Sequence, residues 1–72
     1  MEFNERLAEI METRDISAYR IRKDLKLSNS RIADWLNQKT FPDGRNLIKL
    51  ADYFNVSIDY LAGRTDKPEV NR

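Results

Sequence analysis

Along this 72-residue chain the apolar residues recur at helical spacing, and no stretch shows the alternation of a strand. Phe3, Leu7, Ile10 and Met11 follow one another at intervals of four, three and one, which lays a single stripe along a first amphipathic helix. The charged residues between them are expected to face water, and Glu2 and Glu5 suit the positive end of the helix dipole. Thr13-Arg14-Asp15 closes the segment. Ser17 offers a hydroxyl to cap a second helix, in which Ala18, Ile21 and Leu25 share a face. After Lys26-Leu27, Ser28 is the cap candidate for a third helix from Asn29 to about Leu36, with Ile32 and Trp35 turned inward. Asn37 to Asp43 reads as a loop, where Pro42 restricts Phe41 to an extended backbone. Leu47, Leu50, Ala51 and Phe54 then sit at i, i+3, i+4 and i+7, the cleanest period in the chain. Asn55-Val56 forms a turn, and Ser57 caps a short fifth helix containing Ile58 and Leu61. Gly63 is placed to stop it in the left-handed conformation. The domain is expected over residues 1–63, and residues 64–72, polar and interrupted by Pro68, as a flexible tail.

Composition supports one small all-α domain with a single core. Hydrophobic residues make up 40% of the chain, enough to pack a core, and two glycines and two prolines are too few for a turn-rich sheet protein. The chain has no cysteine and no histidine. Disulfide staples and cysteine-based zinc sites are thereby excluded, and the two commonest side chains for nucleophilic and acid–base chemistry at neutral pH are missing. Neither an enzyme nor a cofactor, metal or small-molecule substrate is expected. The acidic and polar start does not resemble a signal peptide, and no apolar run approaches the ~20 residues that a membrane-spanning helix requires. A cytoplasmic protein is expected.

Net charge is only +1, but its distribution is uneven. Residues 1–16 carry five acids against two bases, and residues 17–49 carry eight bases against three acids. Residues 50–72 carry four acids against three bases, so a basic middle lies between acidic ends. Such a middle can face a phosphate backbone, although ordinary solvated helix faces account for it equally well.

Two short helices joined by a tight turn form a helix-turn-helix candidate. At this point the residues become specific. Ile16-Ser17-Ala18-Tyr19-Arg20-Ile21 matches the start of a second helix, and Ser28-Asn29-Ser30-Arg31-Ile32-Ala33-Asp34-Trp35 a recognition helix. Pro42 and the run from Leu47 to Gly63 complete the pattern. Residues 16–63 resemble the lambda-repressor-like family, the Cro- and cI-type helix-turn-helix proteins of bacteriophages. The resemblance implies a five-helix DNA-binding domain whose second and third helices form the motif, and operator DNA as the partner. The third helix of such proteins enters the major groove while the second crosses the backbone. Carried over position by position, Asn29, Ser30 and Asp34 are expected to face bases, and a carboxylate such as Asp34 accepts from a cytosine amino group. Arg20, Arg31, Asn37, Lys39 and Thr40 are expected at phosphates. Asn29 and Ser30 taken alone are also ordinary helix caps, and Trp35, Phe41 and Tyr53 are read as packing groups.

The sequence departs from the family pattern at four places. Ala18 stands where many relatives have a glutamine that touches DNA. Arg22 replaces a small residue between the second and third helices, so its stem must bend outward. Lys26 occupies a turn position where glycine is usual, at a cost in backbone strain. Leu36-Asn37-Gln38 replaces the common Glu-x-Gly, which leaves Leu36 apolar where a polar, exposed residue is usual. Arg22, Leu36, Ile48 and Tyr60 are therefore a candidate patch for a protein partner. The protein is expected to end just past the fold, without a separate oligomerisation domain. The resemblance implies a Cro-like regulator of the lysis/lysogeny choice, with a homodimer on DNA among its partners; the alternative is an antirepressor that binds the N-terminal domain of a phage repressor.

Overall fold

Five helices and no strand make up residues 1–70, the part described by the computed structural model, with the side chain of Asn29 excepted. Positions 71 and 72 of the expected tail lie outside the described residues. The helices are α1 (Phe3–Thr13), α2 (Ala18–Leu25), α3 (Asn29–Leu36), α4 (Gly44–Phe54) and α5 (Ile58–Leu61). Their starts follow the expected chemistry. Ser17 Oγ accepts from Arg20 N at 3.1 Å, Asp43 Oδ1 from Asn46 N at 2.8 Å, and Ser57 Oγ from Tyr60 N at 3.0 Å. Each satisfies one of the backbone donors that a helix start leaves open. Ser28 occupies the same position before α3, but its side chain makes no capping hydrogen bond.

The helix ends share one device. A residue with positive φ follows each helix: Asp15 (54°), Lys26 (57°), Gln38 (60°), Asn55 (56°) and Gly63 (83°). The next N–H then turns back to a carbonyl five residues earlier: Ile16 to Met11, Leu27 to Arg22, Lys39 to Asp34, Val56 to Ala51 and Arg64 to Asp59, all at 2.8–3.0 Å. This six-to-one closure satisfies carbonyls that would otherwise be left without partners, and glycine serves it best because it has no Cβ to clash. Only Gly63 uses that freedom, and there it is obligatory. A Cβ on Gly63 would overlap the carbonyl of Met1, because the α5 terminus packs directly on the start of the chain. Lys26 takes the left-handed conformation that its position in the motif requires, with the strain expected of a side-chain-bearing residue.

The core takes the expected stripes: Phe3, Leu7 and Ile10 of α1, Ile21 of α2, Ile32 and Trp35 of α3, and Leu50, Ala51 and Phe54 of α4. Leu61 of α5 and Val56 from the preceding turn complete it. In this arrangement α1 packs on α3 and α5, α2 on α3, and α4 on α5. The α2–α3 pair is thus held from behind by α1, leaving its opposite side free.

One expectation needs correction. Not every charged residue of α1 faces water, because Arg6 is only 3% exposed. Its guanidinium lies 3.8 Å from the centroid of the Tyr60 ring and donates to the Thr65 carbonyl at 3.2 Å. It also pairs with Asp66 and Glu9, each at 3.4 Å. An aromatic face, a carbonyl and two carboxylates replace the water that burial removes, although Nε is left without a partner. At the start of the tail, Arg6 donates to Thr65 O and Asp66, and Pro68 O accepts from Ser57 N at 3.0 Å.

Candidate nucleic-acid interface

The turn between α2 and α3 sets the first part of the site. Lys26 in the left-handed conformation reverses the chain within two residues, and Ile21 and Ile32 bury the inner faces of both helices. The outer face of α3 is thereby turned to solvent, and the α3–α4 loop folds beside it. Ser30, Arg31 and Asp34 from α3 meet Thr40 from the loop around a groove of about 320 Å³. Its far wall is made by Phe41 and by Asp43, the cap of α4. Four residues assigned separately in the sequence are brought together here, two as base contacts and two as phosphate contacts.

Ser28 also lines this groove, and its side chain makes no capping hydrogen bond. Arg31 is exposed and carries a positive charge, while Asp34 is half-buried and Asp43 is engaged by Asn46 N. The groove therefore presents hydroxyl groups, one cation and carboxylates, which together offer both hydrogen-bond donors and acceptors.

Other assigned residues surround this groove. Lys39 is exposed and lines a neighbouring groove of about 600 Å³, which shares Trp35, Thr40 and Phe41 with the first. Asn37 is exposed at the end of α3, where its N–H closes the helix on Ala33 O at 2.9 Å. Arg20 projects from α2 and faces Asp24 through Nε at 3.4 Å, with its side chain 72% exposed. An ion pair that open to water holds the side chain only weakly. Asn29 is the first residue of α3, and its side chain lies outside what is described. Trp35 is buried, as its spacing from Ile32 requires, and is a packing group.

The candidate protein-binding patch is less coherent. Arg22 bends outward as expected, its guanidinium 4.9 Å from the centroid of exposed Tyr19. Leu36, expected to be exposed, is half-buried against the core, because α1 packs over that side of α3. Tyr60 is half-buried beneath Arg6. Only Ile48 is fully on the surface, at 51% exposure.

Sequence reasoning missed a polar tie behind the motif. The Tyr53 hydroxyl donates to Asp24 Oδ2 at 2.6 Å, joining α4 to α2. That hydrogen bond chiefly holds the Asp24 carboxyl below its ordinary value, with Arg20 and Lys23 adding to the effect, and pushes the Tyr53 hydroxyl up. No sequence signal marks it, since the partners are 29 residues apart.

Residues 7–61 match the helix-turn-helix family, a span that runs from the middle of α1 to the last residue of α5. No curated protein and no solved structure matches the chain.

Proposed function

We propose that this chain, which belongs to the helix-turn-helix family, is a Cro-like regulator of phage type that occupies operator DNA. Membership of the family makes it a DNA-binding regulator of transcription built on that motif. The finer reading assigns it to the choice between lysis and lysogeny. Ser30 and Asp34 read base edges in the major groove, with Asn29 beside them, and Arg20, Arg31, Asn37, Lys39 and Thr40 hold phosphates. The observation that carries this reading is the groove in which Ser30, Arg31, Asp34 and Thr40 converge on the free side of α3. The small fold offers little room for more than one half-site per copy, so two copies on a symmetric operator are part of the proposal.

A gel shift on duplex DNA from the chain's own promoter region tests it. Binding is expected at low salt and falls steeply as salt rises. Lys39→Ala should weaken binding across all sequences and lower the salt slope by about one. Asp34→Ala should instead relax the preference at one base pair, worth about 1–3 kcal/mol. Failure of the protein to bind any duplex at low salt overturns the reading.

A second reading, an antirepressor gripping the N-terminal domain of a phage repressor, is favoured by apolar side chains outside the groove. Ile48 on α4 and Ile58 on α5 are 51% and 42% exposed. Co-elution with such a domain, lost on Ile48→Asp, would support it, and co-elution that survives the change would reject this surface.

A further inference from the structure

A ladder of aromatic rings runs from the core to the rim of the groove. Trp35 is buried and meets Phe3 edge-on, the ring centroids 6.4 Å apart and the planes at 76°. Phe3, also buried, meets Phe41 at 5.2 Å and 58°. Phe41, a loop residue read in the sequence as a packing group, is 62% exposed. A single exposed apolar side chain means little. Its place and its support are what set Phe41 apart. The ring is backed by a buried aromatic, and Pro42, itself buried, follows it and restricts its backbone to extended geometry. It is therefore presented in a settled orientation with little conformational entropy left to lose. The same ring walls both grooves, with Ser30, Arg31 and Asp34 on one side and Lys39 on the other.

We propose that Phe41 is an apolar DNA contact, its ring packing on a hydrocarbon part of the nucleotide held in the groove. The proposal rests on the DNA-binding reading above. Ser30, Arg31, Asp34 and Thr40 bring charged or hydrogen-bonding groups to the same groove, and the exposed ring adds an apolar face beside them. Two parts of duplex DNA offer matching chemistry: the thymine C5-methyl, which is the apolar mark of the major groove, and the face of the deoxyribose. Either contact adds affinity without charge, which separates Phe41 from the phosphate-binding residues around it.

The test uses a duplex that the wild-type protein selects from a randomised library, and compares wild type, Phe41→Ala and Phe41→Leu. Phe41→Ala should bind about tenfold more weakly and Phe41→Leu between the two. The salt slope should stay that of wild type, because no phosphate contact is removed. Thermal melting checks that both variants remain folded. Replacing thymidine by deoxyuridine in the same duplex then separates the sources. If the methyl is the contact, wild type loses on the deoxyuridine duplex what Phe41→Ala lost, and Phe41→Ala does not respond. If the sugar is the contact, neither protein distinguishes the duplexes. Equal affinity of Phe41→Ala, Phe41→Leu and wild type overturns the proposal. Failure of the wild type to select any duplex overturns the DNA-binding reading itself, before any variant is made.

Discussion

Two regions of this molecule use arginine in opposite ways. At the α1–α5 end, Arg6 is enclosed by Tyr60, the Thr65 carbonyl and the carboxylates of Glu9 and Asp66. Arg14, nearby in sequence, donates to the carbonyl of Phe54 and so closes the C-terminal end of α4. At the α2–α3 end, Arg20 and Arg31 point into water, with at most one weak ion pair between them and the protein. The contrast is set by the surroundings and not by the residue. A guanidinium given an aromatic face and fixed acceptors becomes part of the fold, and one left on an open helix face stays available to a phosphate. The domain thus has a clamped end that stabilises it and a charged end that it leaves free.

The sharpest way to break this comparison is to remove one arginine from each end. Arg6→Ala should cost about 3 kcal/mol, through the lost packing on Tyr60 and the released tail, as read by thermal or denaturant melting. Arg20→Ala should leave the melting curve nearly unchanged, since an exposed ion pair contributes little. Similar losses in both variants would erase the distinction. Next in size is Gly63→Ala, expected to cost about 2 kcal/mol through left-handed strain and the clash with the Met1 carbonyl. Lys26→Gly probes the other end and should go the other way, stabilising the domain by about 1 kcal/mol as the strain of a left-handed lysine disappears. A loss of stability there would mean that the lysine side chain holds the turn.

The smallest effect concerns the tie between α4 and α2. Asp24 has its carboxyl held below the ordinary 3.8, so its contribution is present above that value and fades as pH falls through the lowered one. Tyr53 is pushed above the ordinary 10.0, so its contribution is present below that value and fades as pH rises through the raised one. Tyr53→Phe should therefore lower the melting temperature slightly at neutral pH, and the difference from wild type should shrink towards both extremes. A difference that is constant across pH would show that the hydrogen bond is not its cause.

Helix positions, the buried stripes and the motif were legible in the sequence because each rests on local chemistry. Spacing assigned Leu7, Ile32, Trp35 and Leu50 to the core, and Ser17 and Ser57 stand where a helix start requires an acceptor. The left-handed Lys26 agrees with what the family resemblance implied for that turn, where glycine is usual. What the sequence could not tell was which exposed-looking residue would be covered. Arg6 and Leu36 read as solvent-facing on their own helices, and both are covered by elements that arrive from elsewhere in the chain. Phe41 read as a packing residue and was left at the surface, because Phe3 and Trp35 already fill the space beneath it. The physical reason is the range of the interaction. Backbone conformation and amphipathic faces are decided within a few residues, so the sequence by itself determined five helices and a helix-turn-helix. Burial is decided by what packs across from each face, so only the tertiary structure chose which arginines clamp the fold, which stay free, and which aromatic ring stands at the rim of the groove.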